Sequence, residues 1–189
     1  MPSTQSASCS GSQNRLGYPI SGDVTDYGCR DGDVFVSGTL KGRLTIAAEN
    51  NIVIVANTMY ANTGASSTDM LGLVANQFVQ VYHPVSSGGN NLASFTNPQI
   101  HAAMLALGHS FIVQNYDEGA QLGTITINGV IAQTWRGPVG TSGGTGYLKN
   151  YGYDTRLQYA SPPYVQDLTE TPYRVSQWAE IQNPTGLPA

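Results

Sequence analysis

Short apolar runs separated by polar corners recur along the chain as far as residue 135. Residues 44–48 and 52–56 are two such runs, and Glu49-Asn50-Asn51 between them has the composition of a turn. The runs are short and rich in β-branched residues, so they predict strands rather than helices. Because the runs are apolar throughout, we expect many of these strands to be covered on both faces.

The layout of strand, polar corner and strand returns further along the chain. The later corners are Ala75-Asn76-Gln77, Gly108-His109-Ser110 and Asn128-Gly129. The strands that follow the corners begin at Ile52, Phe78, Phe111 and Val130. The shortest separation approximates one coil of a β-solenoid, and the longer ones contain inserts of turn composition at 61–68 and 84–98. The pattern therefore predicts an all-β fold, a parallel β-helix (β-solenoid) with loop insertions, and the alternative is a β-sandwich.

Residues 97–107 carry two conflicting signals. Asn97 and Pro98 have the composition of a helix start, strong helix formers follow, and Gly108 suits a helix end. Local propensity therefore predicts a helix. The place of the segment in the repeat predicts a strand, which is the interpretation we adopt.

The repeating pattern stops after Trp135. Residues 136–146 form a Gly-rich stretch, and the remainder is rich in Tyr and Pro. Because the ends of a solenoid expose strand edges, we expect a solenoid at 32–135 with capped ends, the caps being residues 1–31 and 136–189. Cys9 and Cys29 predict one disulfide that ties the first of these caps; two independent thiols are the alternative.

Composition narrows the function classes. Charged residues are 11% of the chain, and the net charge is −4. Gly, Ser, Thr, Asn, Gln and Tyr take the place of charged residues, a composition that is typical of exported β-rich proteins. Only two lysines are present, Lys41 and Lys149, so we expect no nucleic-acid partner. No apolar run approaches the roughly 18 residues of a membrane span, so we expect no membrane contact by this segment. The first residues lack the pattern of a signal peptide, and we expect that a signal or anchor has been removed.

A few acidic and basic residues are the candidates for catalysis. Asp117, Asp154 and Arg156 could form the site of a glycan hydrolase or lyase if stacking brought them together. The favoured alternative is a salt-bridge network, with Arg136, that pins the Gly-rich loop to the C-terminal cap. His109-Ser110 with Asp117 is a weak triad candidate, because adjacent residues of a strand point to opposite faces.

Metal and ligand binding have two candidate regions. Asp31 and Asp33, two residues apart across a glycine, suit a hard cation such as Ca²⁺, although they supply too few oxygens for a full site. A solvated turn is the alternative there, and we predict no cofactor. Tyr147, Tyr151 and Tyr153 are a candidate carbohydrate- or protein-binding face; the alternative is that they cover the side of the solenoid.

An ordered set of motifs spans roughly residues 30 to 180. The motifs lie at 32–51, 71–76, 81–84, 109–117, 131–133, 136–140, 153–154, 156–157 and 161–163. Together they resemble an uncharacterised domain of bacterial cell-surface proteins that is attached to a PilX-like or minor-pilin-like N-terminal helix. The resemblance implies a right-handed β-helix on an exported, envelope-anchored protein of the type IV pilus kind. It implies no catalytic residues.

The sequence thus predicts a non-enzymatic, extracellular β-solenoid module for display, adhesion or scaffolding at the bacterial cell surface. A rigid stack would hold loops 61–68, 84–98 and 136–147 outward for a protein or glycan partner. Two alternatives stay open. One is a polysaccharide-active β-helix enzyme, and the other is a scaffold that polymerises end to end.

Overall fold

The chain folds into stacked coils of parallel β-strand in the computed structural model, which describes residues 18, 20–24, 32–93 and 95–165. The strands are β1 (Val34–Leu40), β2 (Arg43–Ala48), β3 (Ile52–Tyr60), β4 (Met70–Ala75), β5 (Val79–Val81), β6 (Gln99–Ala106), β7 (Phe111–Val113), β8 (Thr124–Gln133), β9 (Gly140–Thr141), β10 (Thr145–Gly146) and β11 (Leu148–Tyr153). One 3₁₀ helix, Thr155–Gln158, follows them. Cys9, Cys29 and Asp31 lie outside the described residues, and so does the predicted disulfide.

Three parallel ladders form the sides of the stack. The first joins β1, β3, β5 and β7, and the second joins β2, β4, β6 and β8. The third joins the end of β1, the end of β3, the start of β6, the start of β8 and then β11. Because β3, β6 and β8 each turn a corner, one strand can take part in two ladders. The result is a β-solenoid of about four coils, which confirms the predicted fold class.

The hydrophobic core lies inside the coils. In-register parallel pairing places like side chains above one another, so Ile52, Val79 and Phe111 form one buried column of the first ladder. Leu73 and Met104 do the same in the second ladder. A smaller cluster covers the outside of the first ladder, where Val53 and Tyr82 pack with partly buried aromatic rings. Double coverage explains why these strands are apolar throughout.

Amide and carboxylate side chains link successive coils at the corners. The Asn51 Oδ1 atom accepts a hydrogen bond from the main-chain N–H of Phe78 at 3.1 Å. The Gln133 Oε1 atom accepts one from the N–H of Phe111 at 2.8 Å. Since the chain leaves the ladder at each corner, these side chains supply hydrogen-bond acceptors that the neighbouring strand lacks there.

One predicted corner was assigned to the wrong place in the stack. Asn128-Gly129 lies inside β8, where it pairs with His101 and Ala102, and it does not stack on the corner at His109. That column of corners continues at Thr134, whose N–H donates to the His109 carbonyl at 3.0 Å. The reason is that Asn-Gly suits any tight bend, and composition does not say which of the three corners of a coil it occupies.

The ambiguous segment 97–107 is a strand, as the repeat predicted. Residues 99–106 are β6, with β4 and β8 paired on its two sides. Asn97 has a φ of 49°, and its Oδ1 atom accepts a hydrogen bond from the N–H of Thr124 in the next coil at 3.0 Å. The residue that has the composition of a helix cap therefore forms a corner, because pairing on two sides outweighs local helix propensity.

Both long inserts are tied to the stack by buried polar side chains. Asp69, only 4% exposed, holds loop 61–69, which connects β3 to β4. His83, with no exposed surface, holds the loop between β5 and β6: its ring nitrogens lie 3.0 Å from the Gln114 carbonyl oxygen and 2.9 Å from the Asn91 Oδ1 atom. These contacts fix each loop on the neighbouring coil.

The chain after β11 runs back along the outside of the stack, and we name residues 154–163 the strap. It starts where the Asp154 N–H meets the Gly129 carbonyl of β8. It ends on the first coil, where Thr45 donates to the Pro163 carbonyl oxygen. Parallel pairing thus continues through β11, beyond the predicted solenoid boundary at residue 135, and the segment after it crosses from the last coil to the first.

Candidate functional site

The strap and loop 61–69 meet around one ion pair. Arg156 Nη2 lies 2.6 Å from Asp154 Oδ2, and Arg156 Nε donates to Asp154 Oδ1 at 2.9 Å. This is the single ion pair among the described residues. The hydrogen bonds from Arg156 hold the pKa of the Asp154 carboxyl below its ordinary value, so the carboxylate is charged at neutral pH.

The Arg156 side chain also joins the strap to the second coil. Its Nη1 atom donates to the Ser67 carbonyl at 3.1 Å, and its guanidinium lies 5.0 Å from the centre of the Tyr60 ring. The arginine therefore contacts a carboxylate, a loop carbonyl and an aromatic face at once. We assign it the role of fixing the strap on the loop, since its donors are largely used by the protein itself.

Asp69 fixes the other side of the loop. Its Oδ1 atom accepts from the Gly42 N–H at 2.6 Å, and its Oδ2 atom accepts from the Asn62 N–H at 2.9 Å. The hydrogen bond from Gly42, together with those from Asn62, lowers the pKa of the Asp69 carboxyl. A charged carboxylate thus holds the turn between β1 and β2 against loop 61–69.

Two concave regions lie side by side on this surface. A polar cavity of about 630 Å³ is lined by loop 61–69 and by Lys41. A smaller cleft of about 210 Å³ is lined by Arg43, Met70, Arg156 and Tyr159. Ser67 and Thr68 line both, so the two regions share one wall.

Positive charge is concentrated here. Lys41, Arg43 and Arg156 are three of only eight Lys and Arg residues in the chain. Asp154 neutralises Arg156, and Asp69 lies close to Lys41. Arg43 is exposed and donates to the Ser161 carbonyl oxygen of the strap. The surface has a local excess of positive charge on a chain whose net charge is −4.

The structure brings two of the three candidate catalytic residues together. Asp154 and Arg156 form the ion pair at the start of the strap. Asp117 is exposed in the turn after β7, and among the described contacts no hydrogen bond or ion pair joins it to the other two. Arg136 is also exposed and lies near Tyr151. The ion pair holds the strap to loop 61–69 through the Ser67 carbonyl, rather than to the Gly-rich loop that the predicted network was expected to pin.

His109 and Ser110 contact each other, contrary to the expectation from strand geometry. The His109 Nδ1 atom lies 3.0 Å from the Ser110 Oγ atom. The two residues form a corner rather than consecutive strand positions, and a corner lets neighbouring side chains converge. The His109 ring stacks on Phe78 with centroids 4.0 Å apart, and Ser110 is buried, so the pair belongs to the stack.

Asp33, one of the two candidate cation ligands, forms hydrogen bonds within the stack. The Asp33 Oδ1 atom accepts hydrogen bonds from the side chain of Asn50 and from the N–H of Asn51, both at 3.0 Å. Asp33 therefore caps a corner. Among the described residues, no cluster of three or more His, Cys, Asp or Glu is arranged to hold a metal ion.

The three tyrosines do not share one exposed face. Tyr147 is 3% exposed and donates through its hydroxyl to the Phe95 carbonyl at 2.6 Å. Tyr151 and Tyr153 are about half exposed on β11. Tyr151 pairs with Ile127, a core residue, so it occupies a core-facing position at the base of the stack. Burial raises the pKa of Tyr151 to about 12.

Arg43 was not among the site residues predicted from the sequence. The available signal was Lys41-Gly42-Arg43, two cations around one glycine in a chain with few cations. No helix in the described part of the chain is long and apolar enough to span a membrane. Comparison with protein-family models, with curated proteins and with solved structures gave no match.

Proposed function

We propose that the chain is a non-enzymatic presentation module of the bacterial cell surface. Its coils form a rigid support, and its inserts are held outward as fixed shapes for a protein or glycan partner. The observation that carries the proposal is the anchoring of both long inserts by buried polar groups, Asp69 in one and His83 in the other. A loop that is tied down in this way can bind a partner without the entropy cost of ordering it first.

Export and attachment to a pilus-type protein are part of the same proposal. They are supported by the low content of charged residues and by the resemblance of the motifs to an envelope-anchored domain. In an oxidising compartment, Cys9 and Cys29 would form a disulfide, and the chain would act without a cofactor.

The decisive experiment measures retention and cleavage together. The purified chain is co-sedimented with envelope and matrix polysaccharides and with pilus proteins, and new reducing or unsaturated ends are assayed in the same samples. We expect retention without new ends. Replacement of exposed Thr63, Ser66 and Thr68 by Ala should reduce retention, whereas the control change of exposed Ser37 and Thr39 to Ala should not.

New reducing or unsaturated ends would replace the proposal with the enzyme alternative. Failure of every polysaccharide and pilus protein to retain the chain would also reject it.

A second candidate, end-to-end polymerisation, is favoured by one observation: all six residues of β11, the last strand of its ladder among the described residues, are exposed. Sedimentation of the chain as a monomer at high concentration would remove this candidate.

A further inference from the structure

We propose that the cleft between the strap and loop 61–69 binds a carboxylate-bearing saccharide, such as a uronate oligomer. The proposal names a ligand class for the presentation module and rests on the function proposed above. An exposed arginine, an exposed tyrosine and a hydroxyl-rich wall meet at this cleft.

Arg43 is the group that would recognise the carboxylate. Its guanidinium is held in place by the hydrogen bond from Nη2 to the Ser161 carbonyl oxygen, and the side chain stays exposed. Among the described residues, no carboxylate forms an ion pair with it. A guanidinium carries five N–H donors in a planar fork that matches the two oxygens of a carboxylate. The strap thus orients the fork while leaving donors for a ligand.

Arg156 serves as a wall of the same cleft. Its Nε and Nη2 atoms bind Asp154, and its Nη1 atom binds the Ser67 carbonyl. Its charge is already balanced by a nearby carboxylate, so it adds little attraction for an anion. The two arginines therefore differ: Arg43 carries uncompensated charge, and Arg156 holds the cleft in shape.

An aromatic ring and an apolar floor suit the carbon face of a sugar. Tyr159 is 88% exposed at the cleft, and Met70 beside it is buried. A tyrosine ring offers a large amphipathic contact area at a low cost in conformational entropy. The cleft, about 210 Å³, is smaller than the roughly 300–1,000 Å³ of sites for drug-sized ligands, which fits a single sugar ring.

The neighbouring polar cavity extends the site beyond one sugar. Ser67 and Thr68 line both regions, and Thr63, Ser66 and Lys41 lie further along. Hydroxyl groups both donate and accept hydrogen bonds, as sugar hydroxyls do. Lys41 could meet a second carboxylate. A hydroxyl-rich groove with a cation in each part thus favours an acidic oligosaccharide over a polyphosphate, which would need a denser basic surface.

The test is titration calorimetry of the full chain with a galacturonate trimer and with its carboxyl-reduced, neutral counterpart. We expect the acidic trimer to bind, the neutral one to bind much more weakly, and the affinity to fall as salt is added. Loss of a charge-assisted hydrogen bond corresponds to roughly a tenfold or larger loss of affinity, which we expect for Arg43→Gln. Tyr159→Ala should also weaken binding, by about fivefold.

Matched controls are an exposed cation and an exposed ring that line neither the cleft nor the neighbouring cavity. Lys149→Gln removes an exposed cation from β11, and Tyr164→Ala removes a fully exposed ring; neither should change the affinity. If Arg43→Gln proves poorly folded by circular dichroism, Lys41→Gln takes its place, since that side chain is exposed. Equal binding of the acidic and neutral trimers would overturn the proposal, and so would no binding of the acidic trimer. Unchanged binding by Arg43→Gln and Tyr159→Ala would overturn it as well.

Failure of this inference can be told apart from failure of the proposed function. If neutral glycans or pilus proteins retain the chain while the uronate trimer does not bind, only the ligand class is wrong. If the trimer binds and is cleaved, the site assignment stands and the non-enzymatic function is wrong. Binding of a phosphopeptide in place of the uronate would also count against the ligand class.

Discussion

The interior of the coils and the strap are held by different physics. Inside the coils, apolar side chains stack on neighbours one coil away, and their stability comes from area removed from water. The strap is held by polar contacts between distant parts of the chain: Arg156 and Ser67 are separated by 89 positions, and Arg43 and Ser161 by 118. The stability of the coils should therefore be sensitive to changes in packing, and that of the strap to acid and salt. The two regions should fail under different perturbations.

The largest expected effect is on the interior, through Gly129→Ala. Gly129 lies in β8 beneath the Ala102 carbonyl, and an added Cβ atom would lie 1.9 Å from that oxygen. Because backbone is on both sides of the clash, the coils must separate, and we expect a loss of about 3 kcal/mol or more in the free energy of unfolding. Urea denaturation followed by circular dichroism measures it.

The matched control is Gly64→Ala in loop 61–69, where an added Cβ atom meets nothing within 4 Å. This change should leave the unfolding free energy within about 0.5 kcal/mol of the parent chain. Equal losses for the two variants would mean that the coils are not packed as closely as the parallel pairing requires.

The second effect is on the strap, through Asp154→Asn. The change leaves the nearly buried Arg156 charge without its carboxylate. We expect a loss of about 2 kcal/mol, below that of a fully buried pair, because Arg156 keeps its contact with the Ser67 carbonyl. Limited proteolysis within residues 154–163 should accelerate.

A double-variant cycle with Arg156→Met tests whether the two side chains are directly coupled. The losses of the two single variants should be less than additive in the double variant, and full additivity would contradict a direct coupling.

The smallest effect is a loss of stability in acid, to which the strap and loop 61–69 each contribute one carboxylate. Asp154 and Asp69 both have a pKa that is lowered in the folded chain. Their contribution to the free energy of unfolding is therefore complete above the ordinary aspartate pKa of about 3.9. It is lost as the pH falls through the lower pKa values of the folded chain. Burial also lowers the pKa of His101, so its protonation acts in the same direction, beginning below about pH 6.5.

Urea midpoints at neutral pH and at about pH 3 test whether acid destabilises the folded chain. The midpoint should fall in acid, and Asp69→Asn should show a smaller fall than the parent chain. A midpoint that rises in acid, or an equal fall in both chains, would remove Asp69 from the account.

The sequence was informative about the coils because their signal is local. An apolar run, a corner and a second apolar run predicted the strands that flank Asn50, Asn76 and Gly108. It also predicted β6 correctly against its helix propensity. The corner at Asn128-Gly129 was misplaced because all three corners of a coil need the same residue types.

The candidate site was less predictable because its parts are far apart in sequence. Lys41 and Arg43 come from the first coil, loop 61–69 from the second, and Tyr159 from the strap. Nothing in residues 154–163 read alone indicates that they return to β2. The pairing of Asp154 with Arg156 could be anticipated as a cap ion pair, since the two are neighbours in the sequence. The juxtaposition of Arg43 with the strap required the structure.

The strap also changes how the stack should come apart. An open solenoid behaves as a one-dimensional array in which each coil is coupled only to its neighbours, so an end can fray while the middle persists. Here the first coil is bound to the segment that follows the last, which closes the array into a ring of contacts. Fraying at either end must break the strap as well, so melting becomes a single cooperative transition. Because folding requires contacts between parts of the chain that are distant in sequence, we expect it to be slow.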